Sequence, residues 1–224
     1  MLSFWDSASF FQMLLLLCNG ALTTLQVFFL TLLFSLPLGL LITLGRMSPI
    51  ILINAPIRFF ILIMRGTPLI LQLIFFYFAP SSMLPEGLKF NLPRFTAAIV
   101  AFSLNYAAYF AEIYRGGIES IPRGQYEAAA VLGFTRRQTF FRIILPQVIK
   151  RILPPISNEV ITLVKDTALV QILGISELFR VARNEANRVF STVPLFVAGF
   201  FYLIMNWVVT KVFEKAEKKL SYYR

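Results

Sequence analysis

Between Ala21 and Leu44 the chain runs for 24 residues without a charge. A helix needs roughly 20 mostly apolar residues to cross the hydrocarbon core of a bilayer, and in lipid the backbone must satisfy its own polar groups. This run therefore restricts the chain to folds built on membrane-crossing helices. Composition agrees: hydrophobic residues make up 58% and charged residues 14%, with a mean hydropathy of +0.73, against about 25% charge in soluble domains. The expected fold class is all-α, a single transmembrane domain over residues 1–224. A net charge of +10 would suggest nucleic acid in a soluble chain, but here the basic residues gather in the loops, where they set topology. One cysteine, Cys18, gives no disulfide framework, and the chain contains no histidine. Metal sites, nucleophilic catalysis and nucleic-acid partners are all set aside on this basis.

Taken in order, residues 1–20 hold only one charge, Asp6, so the basic front of a cleavable signal peptide is missing and this end is expected to stay on the protein. Phe4, Trp5, Phe10, Phe11 and the apolar residues from Met13 to Leu17 predict an interfacial helix or an extension of the first span. Five spans are expected, at about 21–44, 59–80, 94–114, 152–174 and 191–210, with a cytoplasmic loop over 115–151 and a basic tail over 211–224. Pro37 predicts a kink in the first. The second contains Arg65-Gly66-Thr67-Pro68 with Gln72 beyond, and Arg65 is expected either to reach lipid phosphate or to serve in transport. In the third, Asn105, Tyr109 and Glu112 share a face, with Arg115 three residues on as an ion-pair partner for Glu112. Residues 175–187 read as an amphipathic loop.

The fourth span holds Asn158, Glu159, Thr162, Lys165, Asp166 and Thr167. A charged side chain at that depth costs roughly 3 kcal/mol on insertion scales, so such residues face the protein interior and mark a pathway. The other reading is a buried ion-pair network that fixes subunit packing. Glu159 and Asp166 lie two helical turns apart and so share a face. Pro154 and Pro155 suggest an irregular start to this span.

Orientation follows from Lys and Arg. Fifteen lie on the side that holds the 115–151 loop and the tail, five on the other, and Lys165 lies within a span. The positive-inside rule puts the tail and the long loop in the cytoplasm and the N-terminus outside.

That loop reads Glu127-Ala128-Ala129, three residues, Gly133, nine residues, then Ile143-Ile144-Leu145-Pro146. Its residue types predict helix, bend, helix: good helix formers first, Gly133 as the interruption, and Pro146 at the start of the next helix. Ala128, Ala129 and Ala130 would allow another backbone to approach closely, with Glu127 as a charge for a partner. This spacing resembles the signature loop of the membrane subunits of bacterial ABC importers. Arg65-Gly66-Thr67-Pro68, the segment from Ala111 to Gly117, Ile121-Pro122-Arg123-Gly124-Gln125, Asn158-Glu159 and Lys165-Asp166-Thr167 extend the likeness, and together they resemble the permease subunit of a polar amino acid importer, of the histidine, glutamine and arginine permease family.

The resemblance implies a type I importer fold in which Glu127, Ala128, Ala129, Gly133, Leu145 and Pro146 form a coupling helix and loop docked on a cytoplasmic ATPase. It further implies an external or periplasmic solute-binding protein, a second permease copy, identical or related, a bacterial inner-membrane location and an amino acid substrate. The chain has no Gly-x-x-x-x-Gly-Lys-Ser/Thr phosphate loop, so ATP and magnesium are expected on the partner ATPase and no cofactor in this chain. Asn105, Tyr109, Asn158, Glu159, Thr162, Lys165, Asp166 and Thr167 are the candidate substrate residues. A zwitterion needs a donor for its carboxylate and an acceptor for its ammonium, and Lys165 or Thr167 with Asn158 or Glu159 supplies both. A carboxylate is then left over, which leans the substrate towards arginine, lysine or histidine. The competing reading is a gradient-driven carrier or channel, in which Glu159 and Asp166 relay ions.

Overall fold

The computed structural model describes residues 7–220, and Phe4, Trp5 and Arg224 lie outside the described residues. The described part is helical, without strands. Helix α1 runs unbroken over Ser7–Arg46, so the predicted short apolar run and first span are one element, with Pro37 inside it. It lies along α4 (Arg94–Glu119). Gly39 makes this contact close: a Cβ built there would stand 2.9 Å from Phe110 Cβ and 3.1 Å from the Ala107 carbonyl oxygen. Four residues on, the Thr43 hydroxyl lies 2.8 Å from Gly39 O and 3.1 Å from Ala111 O, a polar link between helices that needs no water. Phe102 and Phe110, both fully buried, centre the core with Val27, Phe28, Leu73, Leu163 and Val170.

The predicted second span is two helices, α2 (Ile51–Gly66) and α3 (Leu69–Ser82), which meet at 114°. Pro68 is the cause. It has no N–H for the helix ladder, and its ring drives the preceding residue out of the helical region; Thr67 accordingly sits at φ −118°, ψ 148°. The carbonyls freed by the break are answered by side chains. The Gln72 amide donates to Met64 O at 3.0 Å and Thr67 O at 3.2 Å, and the Asn105 amide donates to Met64 O at 2.9 Å and to Gln72 Oε1 at 3.0 Å. A re-entrant bend is tolerable at membrane depth when its backbone is satisfied in this way.

After α4 come α5 (Arg123–Val131), the single turn α6 (Arg136–Gln138), a π-helical stretch Thr139–Ile144 and α7 (Leu145–Asp166). The predicted fourth span is thus α7 followed by a 3₁₀ stretch, Thr167–Leu173, which Gly174 ends at φ +80°. Pro154 and Pro155 lie inside α7 without ending it. Residues 175–187, read from sequence as a loop, contain most of α8 (Leu178–Val189). Glu177 starts it: fully buried, its carboxylate accepts from the backbone N–H groups of Phe179 and Arg180, both at 2.7 Å, and from the Tyr202 hydroxyl at 3.0 Å. The last helix, α9 (Val193–Leu220), carries the predicted final span on into the tail. By length and apolarity α1, α4 and α9 can each cross a membrane, and the bent α2–α3 pair passes together; α7 carries too much charge to qualify alone.

Candidate functional site

Two carboxylates of α7, Glu159 and Asp166, lie near polar residues of α4 and the α2 end. Tyr106 is almost fully buried in an aromatic row, Phe102, Tyr106, Phe110 and Tyr114, whose neighbouring ring centroids lie 6.2–6.4 Å apart. The row follows from the i, i+4 spacing of one helix face. From within it the Tyr106 hydroxyl donates to Asp166 Oδ2 at 2.8 Å, which fixes the carboxylate at the end of α7. Next to it the Arg65 guanidinium lies 5.2 Å above the centre of the Tyr109 ring, a favourable cation–π distance. Glu159 is half-buried within electrostatic range of both Arg65 and Asp166. Among the described residues it accepts no hydrogen bond and joins no ion pair. Two carboxylates, one guanidinium and two tyrosines therefore share one locality, and the unengaged member is Glu159.

Arg65 also belongs to a second group towards the C-terminal ends of α1, α2 and α4. Glu112 lies 2.7 Å from Arg115, 3.5 Å from Arg46 and 4.0 Å from Arg65, so one carboxylate ties the ends of α1, α2 and α4. Arg115 bonds Glu119 as well. A cavity of about 600 Å³ opens beside the group, lined by Arg46, Arg58, Arg65 and Glu112.

The other candidate residues are distributed differently. Asn105 is buried, and its amide is spent on the α2–α3 bend. Thr167 is fully buried, with its hydroxyl bonded to Val164 O at 2.7 Å, so it serves the transition into 3₁₀ helix. Asn158, Thr162 and Lys165 are exposed along one stripe of α7, with Thr162 donating to Asn158 O at 3.0 Å. Tyr106 was missed from sequence because it reads as one more aromatic in an apolar helix; the signal available was a hydroxyl in a row otherwise suited to Phe. Gln72 was noted only as part of a motif.

In the loop, α5 ends in a Schellman arrangement. Gly133 has φ +76°, its N–H bonds Ala130 O at 3.0 Å, and the Phe134 N–H bonds Ala129 O at 3.0 Å. Thr135 and Gln138 then form a reciprocal capping box. Glu127 and Ala128 are exposed, and beside them Val131 and Leu132 project with 87% and 73% of their surface free. Ala129 is buried and packs on its own chain, so it offers no surface to a partner. Leu145 and Pro146 are half-buried at the start of α7, where Pro146 fits because the second helical position needs no donor.

The family described as binding-protein-dependent transport system inner membrane component matches residues 35–222. The arginine transport system permease protein ArtQ of Bacillus subtilis (strain 168) is 39% identical over 153 residues, covering 68% of each chain. In the same organism the L-cystine transport system permease protein TcyB is 38% identical over 152 residues, 67% of this chain and 62% of that one. The glutamine transport system permease protein GlnP of Escherichia coli (strain K12) is 35% identical over 154 residues, 68% of each. A crystal structure of an amino acid ABC transporter with histidines superposes with a TM-score of 0.85 at 33% identity, covering 96% of this chain and 98% of that chain. An inward-facing structure of the MetNI methionine transporter shares the fold, with a TM-score of 0.72 at 20% identity. The chain belongs to the binding-protein-dependent transport system inner membrane components, as a permease subunit of an amino acid ABC importer with the type I permease fold.

Proposed function

We propose that this permease carries a cationic amino acid, arginine before lysine or histidine, and that Glu159 and Asp166 receive its positive charges. The observation that carries the reading is the inequality of the two carboxylates. Asp166 is held by Tyr106, while Glu159, half-buried beside it, has no partner of its own. A carboxylate out of water and unpaired is costly, and a guanidinium or ammonium from the substrate removes that cost. Arg65, over Tyr109, supplies the positive group for the substrate's α-carboxylate. Relatives named for arginine, cystine and glutamine transport mean that family membership does not select the substrate, so the argument stands on these side chains.

Two copies related by a two-fold axis along the membrane normal form the pathway. The exposed polar stripe of α7, Asn158, Thr162 and Lys165, has no place against lipid and fits a wet cavity or a second copy. Glu127, Ala128, Val131, Leu132 and Gly133 present the surface that docks on a cytoplasmic ATPase, which binds ATP and magnesium, while a solute-binding protein delivers substrate on the far side. The chain lies in the bacterial inner membrane with its N-terminus outside and its C-terminus in the cytoplasm.

The test is ATP hydrolysis by proteoliposomes holding the permease and its ATPase, with amino acids presented alongside the binding protein. Arginine or lysine should stimulate, and Glu159→Gln should remove at least about tenfold of that stimulation, as expected for loss of one charge-assisted contact, with basal hydrolysis unchanged. Stimulation by glutamine or glutamate alone would remove the cationic reading.

A further inference from the structure

Beneath the coupling loop a cavity of about 560 Å³ opens between α5 and the first turns of α7. Gln125, Arg142, Pro146, Gln147, Lys150 and Arg151 are among the residues that line it, and no carboxylate does. The pattern has a simple origin. Arg142, Pro146 and Lys150 are spaced by four, as are Ile143, Gln147 and Arg151, so two adjacent rows of one helical surface point into the same space. The opposite wall is α5, held in place by the Gln147 amide, which donates to Gln125 Oε1 at 3.1 Å and to Ile143 O at 2.8 Å. Among the described residues none of Arg142, Lys150 and Arg151 pairs with a carboxylate.

Its height along the bundle matters as much as its charge. Arg151 donates to the Ser120 carbonyl just past the end of α4, so the cavity opens just beyond the ends of the spans expected at 94–114 and 152–174, at the level of lipid headgroups rather than lipid chains. Beside it Phe141 and Ile149 are 57% and 41% exposed. Cations clustered in a recess, next to exposed apolar side chains at the rim of a membrane bundle, suit a ligand that is anionic at one end and apolar at the other.

We propose that this cavity binds a phosphate-bearing anion, supplied by the headgroup of an anionic phospholipid of the cytoplasmic leaflet, with the lipid chains lying along Ile149 and Phe141. Arginine forks and a lysine ammonium suit a phosphodiester. A lipid held there touches both α5 and α7, and so ties the coupling helix to the pathway helix on the surface of α5 opposite Glu127. The proposal rests on the cytoplasmic placement of the loop given above, but not on the identity of the transported amino acid.

The purified permease–ATPase complex in detergent is titrated with phosphatidylglycerol or phosphatidylcholine, and bound lipid is counted by native mass spectrometry. The combined change Arg142→Gln, Lys150→Gln and Arg151→Gln should weaken phosphatidylglycerol binding by at least about tenfold, and Arg142→Gln alone, at an exposed position, by about fivefold. Phosphatidylcholine binding should not move, and Lys215→Gln with Lys219→Gln in the tail should change neither. Phosphatidylglycerol that survives excess inorganic phosphate supports the lipid source, whereas displacement by phosphate overturns it in favour of a soluble anion. Unchanged phosphatidylglycerol binding in the triple and single variants overturns the site. Loss of ATPase subunits from the triple variant does so too, by assigning the cations to subunit docking. Lipid counts are read without transport, so a failed substrate panel and a failed lipid site are distinguishable.

Discussion

Tyr106 and Glu177 show two ways of keeping a carboxylate inside this bundle. Tyr106 gives Asp166 one hydrogen bond from an aromatic wall, and a hydrogen bond to a charged group contributes about 1.5–3 kcal/mol. Tyr106→Phe preserves the packing and deletes only the hydroxyl. Arginine-stimulated hydrolysis should then need roughly ten times more substrate-loaded binding protein, with the folded complex recovered in normal amount; an unchanged titration would detach Asp166 from the substrate site. Glu177 instead caps α8, outside the spans. Burial pushes its carboxyl above the ordinary 4.5, while the Phe179 and Arg180 N–H groups, Tyr202 and the Arg183 charge pull it down by less. A folded value above the unfolded one means that the folded state holds the proton more tightly. Stability is therefore greatest when the pH is below the unfolded value and declines as pH rises through the folded one. Glu177→Gln keeps an acceptor and loses the charge. Its melting temperature relative to the parent should rise between pH 4.5 and neutrality, and a difference that is flat with pH would show that the carboxylate is not destabilised.

At the scale of elements, the proposed coupling loop depends on one backbone conformation. Gly133 at φ +76° closes α5 and redirects the chain towards Thr135. Any side chain there sits in the left-handed region, at a cost of about 1–2 kcal/mol, less for asparagine. Gly133→Ala should weaken uptake and lower the amount of ATPase that copurifies, and Gly133→Asn should recover most of both. Equal loss in the two variants would point to crowding, against the open space around Gly133. The same scale shows what sequence does and does not carry. Apolar run length identified α1, α4 and α9 because lipid imposes it directly. It missed the 114° turn at Thr67–Pro68 because hydropathy has no direction: both arms are apolar, and only the X-Pro pair recorded the change of course. Residues 175–187 read as a loop because their charges outweighed a capping glutamate, which a search for helix starts would have found. Periodicity put Asn105 on one face with Tyr109 and Glu112, but periodicity names a face and not the neighbour it meets; here the neighbour is a broken helix with carbonyls to satisfy. Ala129 likewise sits in an exposed motif but turns inward, since within α5 the position four residues after Gln125 shares its inward side.

Across the whole molecule, charge is distributed by side. The single cysteine gives a native probe for one side. Cys18 is exposed, on the stretch of α1 beyond the predicted first span and far from Arg46. In intact spheroplasts a membrane-impermeant maleimide should label it from outside, while a cysteine introduced at exposed Lys215 should react only after lysis. The opposite pattern would invert the proposed topology and move the basic loop away from any cytoplasmic ATPase.

Helix α1 has 40 residues, which at 1.5 Å each makes a rod of about 60 Å, twice the thickness of the hydrocarbon core. It is packed along α4, which is followed directly by α5, and its N-terminal part lies against α8, where a Cβ on Gly20 would stand 2.9 Å from Leu178 Cα. Tilted about its middle, such a rod would act as a lever. Tilting it by about 5° moves each tip by about 3 Å in opposite directions. On the proposed topology, a push of that size delivered below the membrane would travel through the helix, past Pro37, to the outer surface and shift the ground on which an external protein stands.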